Sequence, residues 1–418
     1  MLIGIVLAGG RGHRLEPLTE TRPKVLLPIV NKPVIYRPLK LLSMLGIKNI
    51  AIVVSYMGER VIEYVKSISS ELGIEPIFVY QGQELGTAHA VRVAIDRVFD
   101  DAIVIYGDLY IDVENVYSVL RNIVDGGHRN IVTSVYLDDV SRYGKLLIDG
   151  NRVIGIEEKP LSGGSGLANA GIYLFASKTL ELVNEIGLSP RGEYELTDII
   201  GLGYRRGIEF RYITIDSRSW SDIGYPWDLL KASKIELEKI GYRDIRGSID
   251  PMVTIKGPVI VDDNAVVKGA TYIEGPVYIG KNASIGPNSY LRPYTVILDG
   301  SHIGFSVEVK ESIVMENTHA AHLSYIGDSI VAENVNLGAG TKIANLRLDE
   351  KTIKMTIDGK RIDSGRRKLG AVIGGYVKTG INVSIMPGIK IGSHSIIYPG
   401  ITVYRDVPPK TIVKTNWI

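Results

Sequence analysis

The 418-residue chain is longer than a single hydrophobic core usually serves, so two domains are expected. Its 45% hydrophobic and 22% charged residues are an ordinary globular balance, and a net charge of +2 provides no field to recruit nucleic acid. The lack of cysteine excludes disulfides, thiolate zinc sites and a cysteine nucleophile, and fits the hot cytosol of a thermophile. The apolar N-terminus reaches Gly9-Gly10 too soon for a signal peptide. No run of about 18 apolar residues could span a bilayer, so a cytoplasmic protein without membrane contact is expected.

The run 2-LIGIVL-7 predicts a first strand, and 7-LAGGRGHRLEP-17 follows it as a glycine-rich turn. Neither the third glycine of the dinucleotide pattern nor the Gly-Lys-Ser/Thr of the Walker pattern is present. Backbone amides approach a triphosphate closely only where side chains are missing, and Arg14 and Lys24 could neutralise charge on a transferring phosphoryl group. Taken alone, the glycines fit a tight turn equally well. Aliphatic runs at 50–55, 102–107, 131–136 and 171–175 predict further strands, separated by helical patterns over 33–46, 58–69 and 87–98. This alternation predicts an α/β domain over 1–225 with helices covering a largely parallel sheet. A further helix over 226–241 leads into a linker that ends at residue 250.

Beyond the linker the period becomes six. Ile255, Val261, Val267, Ile273, Ile279, Ile285, Leu291, Ile297, Ile303 and Val309 stand in strict register. At roughly one chance in four per position this would arise about once in a million trials, so residues 251–418 are read as a repeat. The register slips near 315–326, then resumes at Val331, Leu337 and Ile343 and again from Ile373 to Val403. Each hexad supplies a short strand and a corner, and three hexads make one coil of a parallel β-helix. The segment 346–368 interrupts the repeat as a basic loop carrying Lys351, Lys354, Lys360, Arg366, Arg367 and Lys368, which is either solvated or closes over a phosphate group.

The run LAGGRGHRLEPLTETRPKVLLPIVNKP resembles the signature of sugar-1-phosphate nucleotidylyltransferases, and the likeness continues through the first half. It implies a Rossmann-like nucleotidyltransferase domain in which Leu7, Ala8, Gly9, Gly10, Gly12, Gln81, Gly86 and Thr87 bind the nucleotide. Gly144, Glu157, Lys159 and Asn169 would contact the sugar phosphate, from segments that include 157-EEKP-160 and 169-NAGIY-173. Asp108 in 106-YGDLY-110 and Asp222 in 220-WSDIG-224 would hold Mg²⁺, while Arg14 and Lys24 stabilise the transferring phosphoryl group. His13 departs from the usual threonine.

In the second half, 284-SIGPNSYLRPYT-295, 304-GFSVEVKES-312, 321-AHLSYIGD-328 and 334-NVNLGAGTKIAN-345 resemble the acetyltransferase half of bifunctional N-acetylglucosamine-1-phosphate uridylyltransferase/glucosamine-1-phosphate acetyltransferases. The resemblance implies a left-handed β-helix, a homotrimer and acetyl-CoA near Ala339 and Gly340. Arg292, Lys310, Tyr325, Asn336, Asn345 and Lys351 would bind the sugar phosphate, with His322 as general base. The expected activity is synthesis of UDP-N-acetylglucosamine from UTP, a sugar 1-phosphate and acetyl-CoA. The L-A-G-G, E-E-K-P and W-x-D-x-G elements also look like glucose-1-phosphate thymidylyltransferases, which adds dTTP as a nucleotide. One rival is a single-activity nucleotidylyltransferase whose β-helix only assembles the oligomer. Another is a non-catalytic regulatory subunit.

Overall fold

The structure, a computed structural model, describes residues 2–97 and 100–415. Met1 of the expected first domain, Val98 of the expected helix over 87–98 and residues 416–418 of the expected repeat lie outside the described residues. The chain divides into two compact units. The first comprises Met1–Arg11, Pro23–Leu26 and Pro33–Ile223; the second comprises Gly12–Arg22, Leu27–Lys32 and Gly224–Ile418. Among the described residues no helix is long and apolar enough to cross a membrane.

The described residues of the first unit form a nine-stranded sheet. Its order is Glu75–Tyr80, Asn49–Val54, Leu2–Leu7, Asp101–Tyr106, Gly166–Phe175, Ile131–Leu137, Arg211–Ile215, Arg152–Glu158, Gly144–Asp149. Both faces are covered, which explains the unbroken apolar runs. Val6, Ile50, Ile52 and Ile105 pack with the helices Tyr36–Met44, Gly58–Leu72 and Val113–Asp125, while Ile3, Ile5, Val53 and Val104 pack with Thr87–Ile95 and Asp198–Arg205. The first four strands of the order run parallel.

The expectation of a largely parallel sheet is corrected beyond them. Gly166–Phe175 is antiparallel to both of its main neighbours, and Gly144–Asp149 forms an antiparallel hairpin with Arg152–Glu158. Those two hairpin strands are half-exposed and carry no continuous apolar run, so hydrophobic periodicity did not single them out.

In the second unit the short strands fall into three parallel sheets of eight, nine and eight strands among the described residues, visited in rotation by the chain. Val261 pairs with Ile279 and Ile279 with Ile297, each eighteen residues on. Val261, Val267, Ile273, Ile279, Ile285, Leu291, Ile297, Ile303 and Val309 are all 0% exposed. Each such side chain stabilises the stack by about 1.5–3 kcal/mol. The slip in register has a simple origin: the steps Val309 to Val314 and Ile326 to Val331 are five residues, giving coils of seventeen. The strands begin at Arg243, within the stretch expected as linker.

The segment 346–368 is not a plain loop. It contains an antiparallel hairpin, Lys354–Ile357 with Lys360–Asp363, whose Ile353, Met355 and Ile357 are buried. The second unit also takes in residues 12–22 of the expected first domain. There Arg22 grips Glu316 with both terminal nitrogens at 3.2 and 2.7 Å, and the Ser393 backbone N–H donates to Glu20 at 2.6 Å.

The glycines that follow inward aliphatics have a steric reason. A Cβ on Gly304 would lie 2.2 Å from the Ala321 carbonyl oxygen of the next coil. Gly304→Ala is therefore expected to destabilise the second unit by about 1–3 kcal/mol, read as a lower midpoint in denaturant unfolding.

Candidate functional site

In the first unit the strand Leu2–Leu7 ends at the glycine-rich turn, and a cavity of about 240 Å³ opens beside it. Leu7, Gly9, Gly10, Gln81, Gly86, Thr87 and Asp108 line this cavity, together with Glu84, Ala90, Tyr106 and Glu193. Ala8 is buried, and its N–H donates to the Val53 carbonyl, which holds the turn to the sheet. A Cβ on Gly9 would meet Gln81 Oε1 at 2.9 Å, and one on Gly107 would meet the Leu7 carbonyl oxygen at 2.7 Å. These glycines let two loops and Asp108 close on the same space. The helix Thr87–Ile95 begins at the cavity wall, to which Gly86 and Thr87 contribute. Gln81 donates to the Gly86 carbonyl at 3.0 Å and lies 3.3 Å from His89 Nδ1, so His89 supports that wall of the cavity.

Lys24, with a side chain only 10% exposed, directs its ammonium onto Asp108 Oδ2. Asp222 lies directly across from Leu109 in an antiparallel pair, and the Ile223 N–H donates to the Asp108 carbonyl at 3.3 Å. Asp108 and Asp222, from distant parts of the sequence, thus stand at adjoining strand ends. Among the described residues no group of three or more His, Asp or Glu could hold a metal alone. Two aspartates match a hard divalent ion that completes its shell with phosphate oxygens and water. Arg14 belongs to the second unit, where its guanidinium lies 5.4 Å from the centre of the Tyr225 ring; Gly12 opens that short helical turn.

A buried polar chain leads away from the cavity wall. Tyr106 and Tyr173 hydroxyls are 3.2 Å apart, and Asn169 Nδ2 donates to Tyr173 at 2.5 Å. Burial and the neighbouring Tyr173 hold the Tyr106 phenol well above its ordinary value, so it stays protonated. Gly144 lies across the hairpin from Glu158, and a Cβ there would meet Glu158 Oε1 at 3.0 Å. Glu158 accepts from Thr197 Oγ1 at 2.9 Å.

Glu157, the residue expected here, is exposed and pairs with Lys145; Lys159 is also exposed. The cause is an irregularity between Val153 and Gly155, which adds one residue and reverses the parity of the positions after it.

Burial raises the Glu158 carboxyl, reinforced by Glu195 and opposed by Thr197, Arg191 and Lys159. A raised carboxyl binds its proton more tightly when folded, so its contribution to stability is complete below the ordinary value of 4.5 and is lost as pH rises above it. Glu158→Gln should accordingly gain stability relative to the native chain between pH 4.5 and 7 in paired denaturant titrations.

The second unit carries a separate constellation. His322 ends the strand His319–His322 with its side chain exposed, and its carbonyl accepts from the Gly340 N–H at 3.1 Å. The corner holding Ala339 and Gly340 is thereby set against the histidine. Lys310 Nζ lies 3.0 Å from both oxygens of Asp328. Asn345 Nδ2 donates to Asp328 at 2.5 Å and to the Tyr325 hydroxyl at 3.0 Å. Tyr325 also pairs with Glu308, which accepts from Arg292 at 3.0 Å. Lys310, Tyr325 and Asn345 are thus one network around Asp328, and the Arg292–Glu308 pair stands on the adjoining strands. Asn336 lies on another sheet, paired with His319. Lys351 is exposed at the start of the inserted segment, and its N–H donates to Asp349.

Comparison with known proteins agrees with this division. The nucleotidyl transferase family model matches residues 3–239, and the GMPPB C-terminal domain model matches residues 273–368. A bifunctional sugar-1-phosphate nucleotidylyltransferase/acetyltransferase of Sulfurisphaera tokodaii is 45% identical over 96% of this chain and 97% of its own. The chain belongs to the bifunctional sugar-1-phosphate nucleotidylyltransferase/acetyltransferase family. The bifunctional protein GlmU of Methanocaldococcus jannaschii is 41% identical over 98% of this chain and 96% of its own. A solved structure described as a glucose-1-phosphate thymidylyltransferase from Bacillus anthracis, in complex with a sucrose, has 32% identity and a TM-score of 0.50. It covers 56% of this chain and 94% of its own.

Two separately built sites are what a bifunctional enzyme of this family requires. Sequence reasoning missed Glu84, Tyr106 and Glu193 in the first and Asp328 in the second. Tyr106 and Asp328 stand inside the segments YGDLY and HLSYIGD, but only their neighbours were singled out. Their signal is position within a motif; their partners are remote in sequence.

Proposed function

We propose that the first unit joins a sugar 1-phosphate to UTP or dTTP with release of pyrophosphate. The second transfers acetyl from acetyl-CoA to the 2-amine of glucosamine 1-phosphate. The N-acetylglucosamine 1-phosphate so formed is then the first unit's substrate, and UDP-N-acetylglucosamine is the final product. The observation that carries the reading is the Lys24–Asp108 ion pair at a glycine-lined cavity, with Asp222 on the strand paired beside Asp108 and a second network around Asp328 in the other unit.

In the nucleotidyl reaction the 1-phosphate oxygen attacks the α-phosphorus, and pyrophosphate leaves. The nucleophile is already ionised, so no side chain has to remove a proton; positioning and charge stabilisation carry the step. Magnesium, held by Asp108 and Asp222, would supply positive charge between two anionic partners. Lys24 stabilises charge on the transferring group, and the loop amides of Gly9 and Gly10 cradle the triphosphate. Gln81, Gly86 and Thr87 hold the base and ribose, and Gly144, Glu158 and Asn169 orient the sugar.

In the acetyl reaction His322 takes the amine proton as the nitrogen attacks the thioester, and coenzyme A leaves as the thiol. Lys310 and Arg292 hold the phosphate, Tyr325 and Asn345 orient the sugar, and acetyl-CoA lies along the Ala339–Gly340 corner. The coil is left-handed and the enzyme a homotrimer in this reading.

A mass-spectrometric product panel of sugar phosphates against UTP and dTTP, with and without acetyl-CoA, tests it. Acetylated nucleotide sugar from glucosamine 1-phosphate is expected. Pyrophosphate without thiol release from any amino-sugar phosphate would leave a single-activity nucleotidylyltransferase.

A further inference from the structure

The inserted segment 346–368 supplies a residue to the acetyl-transfer network that the hexad pattern gave no reason to expect. Its hairpin is seated on the coil. Ile353, Met355 and Ile357 are buried beneath it, and Gly388 makes room for it, since a Cβ there would lie 2.5 Å from the Lys354 carbonyl oxygen. The backbone of the segment is tied at its base by Leu369 N–H to the Asn345 carbonyl at 3.0 Å and by Ile353 N–H to the Arg366 carbonyl at 2.8 Å.

So held, Arg366 reaches back onto the coil. Its Nη2 donates to Glu311 Oε1 at 2.6 Å and lies 3.5 Å from Asp328 Oδ1, while its Nε donates to the Lys368 carbonyl at 3.1 Å. Glu311 and Asp328 are also the carboxylates nearest Lys310, whose ammonium lies 4.0 Å from the first and 3.0 Å from the second. The four side chains are 16, 1, 16 and 23% exposed for Glu311, Asp328, Lys310 and Arg366, so water screens their interactions poorly.

The charge balance gives the arginine a role. With Arg366 present, two carboxylates face two cations. Without it, Lys310 would be the single cation against two carboxylates, and an arriving phosphate dianion would meet net negative charge. Arginine suits the position because Nη2 reaches both carboxylates while Nε is anchored on the Lys368 carbonyl, so a second cation shares the charge that would otherwise fall on Lys310 alone. An ordinary surface anchor would gain little from such contacts, but here one partner is almost fully buried.

Resting on the acetyl-transfer reading, we propose that Arg366 is a positioning residue for sugar-phosphate recognition. It acts through Asp328 and Glu311 to leave Lys310 available to the phosphate.

The test compares the full-length chain with Arg366→Ala and Arg366→Lys in a thiol-release assay, with pyrophosphate release in the same preparations as control. Arg366→Ala should raise KM for glucosamine 1-phosphate about tenfold or more, with kcat within about twofold and KM for acetyl-CoA unchanged. Arg366→Lys should fall between the two, because it keeps the charge and loses the Nε anchor on the Lys368 carbonyl. An unchanged KM in either variant overturns the proposal, as does an equal loss in kcat and both KM values, which marks a purely structural anchor. If Arg366→Ala does not fold, Arg366→Lys alone decides by the same measure. Calorimetric titration of glucosamine 1-phosphate, with the first site saturated by UDP-N-acetylglucosamine, separates this inference from the reading beneath it. Weaker binding by Arg366→Ala alongside a native chain that releases no thiol would refute acetyl transfer and support the role of Arg366. Equal binding by both proteins refutes that role whatever the turnover.

Discussion

His322→Ala is expected to lower acetyl transfer by about 10²- to 10⁴-fold while pyrophosphate release by the same preparation stays at the native rate. The argument rests on what the side chain does and does not hold. Its imidazole is exposed at the end of a strand, whereas the ladder contacts at this position come from its backbone: the carbonyl accepts from Gly340 N–H at 3.1 Å and from Ser324 Oγ at 2.9 Å. Alanine leaves those bonds in place, so the coil and the Ala339–Gly340 corner should survive. Loss confined to the acetylation rate, measured by thiol release under saturating substrates, would identify the proton acceptor. A rate within threefold of native would remove His322 from that role and reassign the proton to another group.

Lys24→Ala should reduce nucleotidyl transfer by about 10²- to 10³-fold with acetyl transfer intact, the size expected for removing one preorganised cation from a developing phosphoryl charge. Lys24 is also a largely buried ion-pair partner of Asp108, so its removal leaves a partly desolvated carboxylate behind. Lys24→Ala combined with Asp108→Asn separates the effects. Asparagine relieves the stranded charge and should recover stability without recovering rate. Since Asp108 is also a proposed magnesium ligand, the double variant is read for stability, and a Lys24→Ala rate within about threefold of native would remove Lys24 from its role. Melting temperature and pyrophosphate release, measured on both variants and the native chain, supply the two readings.

The hexad repeat was legible because every inward side chain meets the same environment, so one aliphatic type recurs at one spacing. Ile279, Ile297 and Ile303 are interchangeable in that sense, and all are fully buried. The two five-residue steps could not be read as such, because deleting one residue at a corner leaves each flanking strand intact. The inserted hairpin was visible as an interruption, but its packing depends on Gly388 and on the base closed by Asn345, which are contacts and not periods.

The candidate sites divide in the same way. Gly9, Gly10, Lys24 and Asp108 stand in a short run or at a strand end, where local chemistry already restricts the residue type. The choice between Glu157 and Glu158 turned on one extra residue between Val153 and Gly155, invisible without the partner strand. Arg366 and Asp328 are 38 positions apart and meet only because the coil returns.

The sequence by itself determined an α/β unit followed by a parallel repeat, and the glycine-rich turn after the first strand, because these follow from local spacing and side-chain character. Only the tertiary structure decided which carboxylate of a pair turns inward and which cations share a carboxylate. Those outcomes depend on strand parity and long-range charge pairing, and no local pattern in the chain encodes either one.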